Sequence, residues 1–165
     1  MPYETIPEIS AHDAVAAPPL RERLRRRFTE QPELPALHAD GPEGGRWLTY
    51  GGLGSAVDQT AQALAALGAA PGGRVGVMLP NGEAFVRVWL ALAMLNVTMV
   101  PVNISLVGAG LRHVLESTEP DLLVVDAKLV GAVRACGGGE AVGRVLVWGE
   151  DLTPRPPSLA GKGVP

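Results

Sequence analysis

Two short apolar runs, each closed by a proline and then an asparagine, constrain the fold of this chain more than any other feature. The first run extends from Arg74 to Asn81 and the second from Val100 to Asn103, with the nearly all-apolar stretch Gly82 to Leu95 between them. Short apolar runs bounded by turn residues are typical of buried strands, and an apolar stretch of this length is typical of a buried helix. The pattern therefore predicts a strand–helix–strand unit of a parallel sheet.

The same alternation continues along the chain and predicts an α/β fold, a mainly parallel sheet with helices on both faces. Apolar residues recur with the helical period from Thr49, the natural N-cap, to a stop at Gly68. Asn81 is expected to cap the next helix, with Glu83 in its first turn. That helix is apolar nearly all round from Val88 onward, so we expect it to be buried between layers. The predicted strands of the sheet are 75–79, 98–102, 122–125 and 142–148, and the predicted helices are 20–28, 49–67, 82–95, 111–115 and 128–136.

Composition divides the chain into three parts. Residues 1–34 are predicted to be an extended leader and a first helix, and residues 35–148 to be the folded domain. Within that domain, 35–39 and 46–49 are predicted to be the strands of a hairpin that flanks the main sheet. Residues 149–165 are rich in proline and glycine and have no periodicity, so we expect a disordered tail. This tail is either a native linker or an unrelated reading frame joined to the domain.

Charge argues against nucleic acid as a partner. The 165 residues carry a formal net charge of -3, so there is no domain-wide positive field to hold a phosphate backbone. Five arginines lie within residues 21–27. They form either a basic patch that binds nucleic acid or an anionic membrane surface, or the solvated face of a helix. Leu20, Leu24 and Phe28 recur with helical spacing among them, which favours the solvated face.

A single cysteine, Cys136, allows no internal disulfide and no cysteine-based metal site. Together with an N-terminus that lacks an apolar signal-peptide stretch, it predicts a reducing, cytoplasmic location. The longest apolar tract, 88–102, is interrupted by Asn96, Thr98 and Pro101, and it falls short of the roughly 20 apolar residues that a membrane span requires. We therefore expect no membrane span.

Each short motif that suggests catalysis or nucleotide binding has a simpler explanation. The glycines of 51–54 follow a predicted strand, but the third small residue and the downstream acid of a dinucleotide fingerprint are missing. Gly161-Lys162 lacks the upstream glycine of a phosphate loop. The histidines and serines lack the neighbours of a catalytic or metal site: His12, His38, His113, Ser10, Ser55, Ser105, Ser117 and Ser158. We therefore predict no catalytic, cofactor-binding or metal-binding residue in this chain.

Asn81 and Asn103 are the remaining polar candidates for a ligand site. Both follow predicted parallel strands and so stand at the carboxyl edge of the sheet, where open α/β sheets bind ligands. Helix capping and turn formation after proline explain the same residues without a ligand, and we favour that explanation.

Several of these segments together resemble the adenylate-forming, AMP-dependent synthetase and ligase superfamily. Residues 48–53, Leu-Thr-Tyr-Gly-Gly-Leu, resemble its first core motif, and 71–75 with 79–85 resemble its strand and helix start around Leu-Pro-Asn. Residues 90–96 with 100–103 are similar to its second core motif. A further pattern is similar to that of its acyl-CoA ligase branch: Leu106, Gly108, Leu111, His113 and Leu115.

The resemblance implies that residues 35–148 are part of the N-terminal domain of an acid–CoA ligase. Such an enzyme joins a carboxylic acid to ATP as an acyl-adenylate and then forms a CoA thioester, with ATP, Mg²⁺ and CoA as cofactors or substrates. The family's phosphate-binding loop and its catalytic lysine domain have no counterpart in this chain. We therefore expect the chain to be inactive alone; the alternatives are a non-catalytic interaction module and a Rossmann-type nucleotide-binding protein.

Four residues depart from the family pattern. Gly52 stands where the family usually has Glu, Gly73 replaces Asp, Gly110 replaces an acidic residue, and Asn96 replaces Gly. The acid-to-glycine changes are expected to weaken helix starts and turns, and they fit either divergence or decay. A sheet cut short would also leave an open edge, so we expect poor solubility or self-association.

Overall fold

The computed structural model describes residues 18–40, 44–137 and 140–149. Residues 1–17 of the predicted leader, 41–43 of the predicted hairpin loop and 150–165 of the predicted tail lie outside the described residues. In chain order the elements are α1 (Leu20–Glu30), β1 (Pro35–Ala39), β2 (Arg46–Thr49), α2 (Tyr50–Ala66), β3 (Arg74–Met78), α3 (Glu83–Leu95), β4 (Thr98–Pro101), α4 (Gly108–Thr118), β5 (Leu122–Asp126), a 3₁₀ helix (Ala127–Leu129), α5 (Val130–Ala135) and β6 (Val145–Trp148).

The four strands β3 to β6 form one parallel sheet in the order β4-β3-β5-β6, which confirms the predicted fold class. Val75 on β3 pairs with Met99 on β4 and with Leu122 on β5. On the far side of β5, Leu123 pairs with Val145 on β6. The connection from β4 to β5 passes over β3, so the order of the strands reverses between β3 and β5.

Helices cover both faces of this sheet, as predicted. On one face α2 and α3 pack against the alternate residues of the strands that face them, in a core that includes Val57, Leu64, Val77, Leu92 and Val124. On the other face α4 and α5 enclose a second core, which includes Met78, Leu111, Leu115, Leu123 and Val125. Each central strand therefore contributes to both cores, as expected of strands buried on both faces.

The predicted hairpin forms a separate two-stranded antiparallel sheet, β1–β2, with His38 opposite Trp47. A two-stranded sheet is only marginally stable by itself in water. The hairpin packs against α2, which supplies the support that it lacks alone.

Helix α2 begins as the sequence predicts. The Oγ1 of Thr49 accepts a hydrogen bond from the backbone N–H of Gly52 at 3.2 Å, so Thr49 is the N-cap. The predicted apolar face is confirmed at Leu53, Val57 and Leu64, which are buried. The chain leaves the helix through Gly68, whose φ of +99° lies in the left-handed region that glycine adopts most easily.

Helix α3 departs from the prediction at its start and on its outer side. Its N-cap is Gly82 and no side-chain hydrogen bond caps it, so the prediction that Asn81 caps this helix is wrong. The side chain of Trp89 is 45% exposed, so the helix is not buried on all sides. The sheet and α2 enclose the side that carries Val88 and Leu92, and the side of Trp89 is left open to solvent.

The other predicted elements exist with small shifts of their ends. The predicted helix 128–136 is divided into the 3₁₀ helix and α5, because the side chain of Asp126 accepts a hydrogen bond from the N–H of Lys128 and starts a tighter turn. Strand β6 is shorter than the predicted 142–148. Gly143 lies directly against the backbone of Asp121, where a Cβ would be 2.6 Å from the carbonyl oxygen, and the chain bends there before the strand.

Two of the four departures from the family pattern are accommodated by the structure. Asn96 ends α3 with φ 57° and ψ 43°, the left-handed conformation that Asn tolerates best after Gly. At Gly73, a Cβ would lie 2.9 Å from Oδ2 of Asp121. That carboxylate accepts a hydrogen bond from the backbone N–H of Arg74 at 2.8 Å, so Asp121 already places an acid at this turn.

The remaining two departures carry no such compensation. Gly52 supplies its N–H to Thr49 but has no side chain to complete the capping box. Gly110 lies in the first turn of α4, a turn with no acidic residue and no side-chain cap. The nearest atom to a Cβ at this position is Cδ2 of Leu106 at 3.6 Å, an ordinary contact distance.

Restoring the family's acid should therefore have opposite effects at Gly110 and Gly73. We expect Gly110→Glu to raise the free energy of unfolding by about 1 kcal/mol, because a helical glycine is replaced and a negative charge is added at a helix N-terminus. We expect Gly73→Asp to lower it by roughly 1–3 kcal/mol, because the new side chain collides with the Asp121 carboxylate. Urea denaturation of the two variants and the parent chain measures both changes.

The double variant Gly73→Asp with Asp121→Gly is the control, since it moves the carboxylate instead of adding one. It should recover part of the stability that Gly73→Asp loses. A Gly73→Asp variant as stable as the parent chain would contradict the assignment of Asp121 to this role.

Candidate functional site

The carboxyl edge of the parallel sheet is the part of the fold where a ligand site is expected. All four strands end there, and the reversal of strand order between β3 and β5 is the position at which open α/β sheets form a binding crevice. The polar and aromatic residues at or directly after the strand ends are Asn81, Asn103, Asp126 and Trp148.

The structure supports turn formation at one of the two asparagines. The Oδ1 of Asn103 accepts a hydrogen bond from the backbone N–H of Ser105 at 2.9 Å, which closes an Asx turn between β4 and α4. Asn81 is exposed and caps no helix. Neither residue is held in a buried polar pocket. The prediction that Asn103 forms a turn is confirmed, whereas helix capping does not account for Asn81.

A cluster of charged side chains at this edge was not predicted. The carboxylate of Glu83, 11% exposed at the start of α3, lies 2.6 Å from Nη2 of Arg46 on β2. One turn further along α3, Nη1 of Arg87 lies 3.9 Å from the same carboxylate. The cluster joins the hairpin to α3 and holds two cations with one anion.

Arg87 is the most unusual member of this cluster because its side chain is only 10% exposed. Its Nη2 donates to Oγ1 of Thr60 on α2 at 3.2 Å, and its Cζ lies 5.8 Å from the ring centre of Trp148 on β6. The Nε of Arg87 and the Nε1 of Trp148 are both buried without a hydrogen-bond partner. The guanidinium is thus held by α2, α3 and β6, and part of its donor capacity is unused.

The sequence contained one signal for this cluster, the spacing of Glu83 and Arg87, which places them on the same side of a helix. The partners Arg46, Thr60 and Trp148 could not be read from that spacing, since they come from other elements.

The carboxylates near the edge are engaged in local structure. Asp126 accepts from the N–H of Lys128, and Glu83 pairs with arginines. Within the described ranges, no group of three or more His, Cys, Asp or Glu side chains comes together as a metal site would require. The carboxylates of Asp126 and Glu83 thus serve a turn and an ion pair.

The histidines and the cysteine occupy separate places. His38 makes an edge-to-face contact with Trp47, with ring centres 5.0 Å apart, and its Nδ1 lies 3.3 Å from Oδ1 of Asp40. His113 is exposed on α4, and His12 lies outside the described residues. Cys136 is buried, and its Sγ donates to the carbonyl of Val133 at 3.2 Å. The structure does not bring together the described side chains, those of His38, His113 and Cys136.

The glycine-rich segment 51–54 forms the first turns of α2 and not a phosphate-binding loop. A Cβ on Gly54 would lie 2.8 Å from Cγ of Phe28, and one on Gly51 would lie 3.0 Å from Cβ of Pro32. These glycines allow α1 and the turn after it to pack closely on α2. The segment follows an antiparallel hairpin strand, so it also lacks the strand–loop–helix context of a dinucleotide fold.

The parallel sheet, its two helical layers and the capped α2 define a layered α/β domain, and comparison with known proteins gives its family. Residues 24–162 match the family model described as AMP-binding enzyme. The chain belongs to this family. The match extends past Trp148, the predicted end of the folded domain.

The relatives are CoA ligases. The chain is 29% identical to crotonobetaine/carnitine–CoA ligase of Salmonella paratyphi A over 109 residues, which is 65% of this chain and 21% of that protein. It is 29% identical to the long-chain-fatty-acid–CoA ligase FadD13 of Mycobacterium tuberculosis over 128 residues, 76% of this chain and 25% of that protein. The chain thus spans about a fifth to a quarter of the length of these relatives.

Solved structures agree with this assignment. A long-chain-fatty-acid–CoA ligase (FadD1) from Archaeoglobus fulgidus matches with a TM-score of 0.71 and 25% identity, over 78% of this chain and 27% of that one. The inhibitor-bound N-terminal domain of FACL13 from Mycobacterium tuberculosis matches with a TM-score of 0.66 and 26% identity, over 79% of this chain and 33% of that domain. The resemblance to an N-terminal portion of an acyl-CoA ligase is confirmed. In full-length relatives it implies the use of ATP, Mg²⁺ and CoA.

Among the helices of the described residues, none combines the length and the apolar character that crossing a bilayer would demand.

Replacing Arg87 tests whether its charge supports the fold. We expect Arg87→Met to keep or raise the free energy of unfolding, by up to about 2 kcal/mol, because an apolar side chain of similar length removes a buried charge while Glu83 keeps Arg46. Arg87→Ala should instead lower it by roughly 1–3 kcal/mol, since it leaves a space between α2, α3 and Trp148. Urea denaturation with a constant m-value measures both.

Glu83→Gln is the companion variant, and it should destabilise the chain because both arginines lose their carboxylate partner. Equal losses for Arg87→Met and Arg87→Ala would show that the charge of Arg87 contributes to stability.

Proposed function

We propose that this chain is the scaffold-forming opening part of an ATP-dependent carboxylic acid–CoA ligase, and that it has no ligase activity alone. The observation that carries the proposal is the family match over residues 24–162, combined with the small share of each ligase relative that the chain spans. In the family reaction, the acid and ATP form an acyl-adenylate and pyrophosphate, and CoA then displaces AMP to form a thioester.

The chemistry of the described residues supports the second half of the proposal. Adenylyl transfer depends on positioned charges around the phosphates. At the carboxyl edge, the carboxylates of Glu83 and Asp126 are bound to arginines or to a backbone N–H group. The chain's lysines, Lys128 and Lys162, do not stand in the glycine-rich phosphate loop that the family uses. These residues form the layers of a domain and supply no binding site for the phosphates.

Pyrophosphate exchange tests this proposal directly. The purified 165-residue chain, incubated with Mg²⁺, ATP, labelled pyrophosphate and a panel of carboxylic acids from short to long chain, should give no exchange above a blank without protein. The Mycobacterium tuberculosis FadD13 enzyme is the positive control with long-chain acids. Acid-dependent exchange by the chain alone would overturn the proposed inactivity.

A chimera tests the scaffold role separately. Residues 24–148 of this chain replace the matching segment of FadD13, and the product is assayed for the same exchange. We expect a folded chimera to restore acid-dependent exchange that FadD13 without the segment lacks. A monodisperse chimera with a cooperative melt but no exchange would contradict the scaffold role.

A further inference from the structure

The two outer strands of the parallel sheet differ in what they offer to another strand. In the described part of the chain, β4 and β6 each have one neighbour and one open edge. Along a parallel strand, successive residues turn their backbone N–H and C=O groups alternately toward one neighbour and the other. The hydrogen bonds on the paired side therefore show which residues face the open side.

The open edge of β4 is protected against pairing. The N–H groups of Thr98 and Val102 donate to the carbonyls of Gly73 and Val77, both at 2.9 Å. By alternation, Met99 and Pro101 face the open edge. Proline has no N–H to donate, and a proline on an outer strand is a common protection against pairing with another chain.

Among the described residues, the open edge of β6 has no such protection. The N–H of Leu123 donates to the carbonyl of Arg144 at 2.8 Å, so Leu146 and Trp148 also turn toward β5. Val145 and Val147 then face the open edge with both their N–H and C=O groups. The strand contains no proline and no charged residue, and an unprotected apolar edge of this kind is a template for another strand.

We propose that β6 pairs with β6 of a second copy of this chain, antiparallel and centred on Leu146. The sequence Val145-Leu146-Val147 reads the same in both directions. A two-fold axis at Leu146 therefore places Val145 opposite the partner's Val147 and Val147 opposite the partner's Val145. In an antiparallel ladder, such outward-facing residues form pairs that exchange both of their hydrogen bonds.

The side chains suit the same arrangement. Val145 and Val147 are half-buried against the core under α4 and α5, so each lies on the same face of the sheet as its counterpart across the axis. Pairs of β-branched residues across neighbouring strands are favourable. The result is one continuous sheet of eight strands, twice the four of the described chain. This proposal does not depend on any role in acyl-CoA chemistry.

Sedimentation velocity of the full chain over a wide concentration range, with two matched variants, tests the proposal. Val147→Pro removes an outward N–H and leaves every hydrogen bond to β5 in place, and Met99→Pro does the same at the β4 edge. We expect a reversible dimer for the parent chain, at least tenfold weaker dimerisation for Val147→Pro, and an unchanged dimer for Met99→Pro. A parent chain that is monomeric at every concentration, or a dimer that Val147→Pro does not weaken, would overturn the proposal.

Amide hydrogen exchange of the parent chain decides the matter if Val147→Pro fails to fold. The amides of Val145 and Val147 should exchange more slowly as the protein concentration rises, while the amide of Met99 should not change. Protection of Val145 and Val147 that is independent of concentration would show that the chain covers its own edge, and protection of Met99 would place the interface at β4. Either result would refute the proposed pairing.

Discussion

The pairing of β3 with β5 is the interaction on which the rest of the structure depends. These two strands lie at the centre of the sheet and are buried on both faces, so they supply the apolar surface that α2 and α3 cover on one side and α4 and α5 on the other. Their close approach uses Gly76, where a Cβ would lie 2.8 Å from Cδ1 of Leu123. A side chain at this position would force the two strands apart or displace Leu123, and both cores would be disturbed.

The sequence predicts most of this architecture because the signals are local. The helical spacing of Leu53, Val57 and Leu64 in α2 and the unbroken apolar run of β5 each reflect burial by a neighbouring layer, whichever residues form that layer. What the sequence does not predict depends on residues brought together by the fold. Arg87 belongs to a buried cluster only because the fold brings Thr60 and Trp148 beside it. Asn81 is the predicted N-cap of α3, but the N-cap is Gly82, which has no side-chain hydrogen bond to offer.

The same distinction applies to function. Family membership could be recognised from ordered motifs, since these are the residues that form the turns and strand ends of the layer. The chemistry of the carboxyl edge could not be recognised from the sequence, because it depends on which polar groups remain available after folding. Asn103, Asp126 and Glu83 all lie at the edge where α/β enzymes bind ligands, and each is engaged in a turn, a cap or an ion pair. This engagement is the physical support for a scaffold role.

The departures from the family pattern bear on whether the chain has diverged or decayed. Random loss of function has no reason to preserve the geometry around a lost side chain. Yet Asp121 places its carboxylate beside Gly73 and binds the N–H of Arg74, and Asn96 adopts the left-handed conformation that a glycine would otherwise supply. These two turns therefore keep their geometry without the family's residues. Gly52 and Gly110 are the exceptions, since the first turns of α2 and α4 contain no acidic residue. Compensation at two of the four positions favours divergence over decay, because a neighbouring group or the residue itself keeps the turn geometry in place.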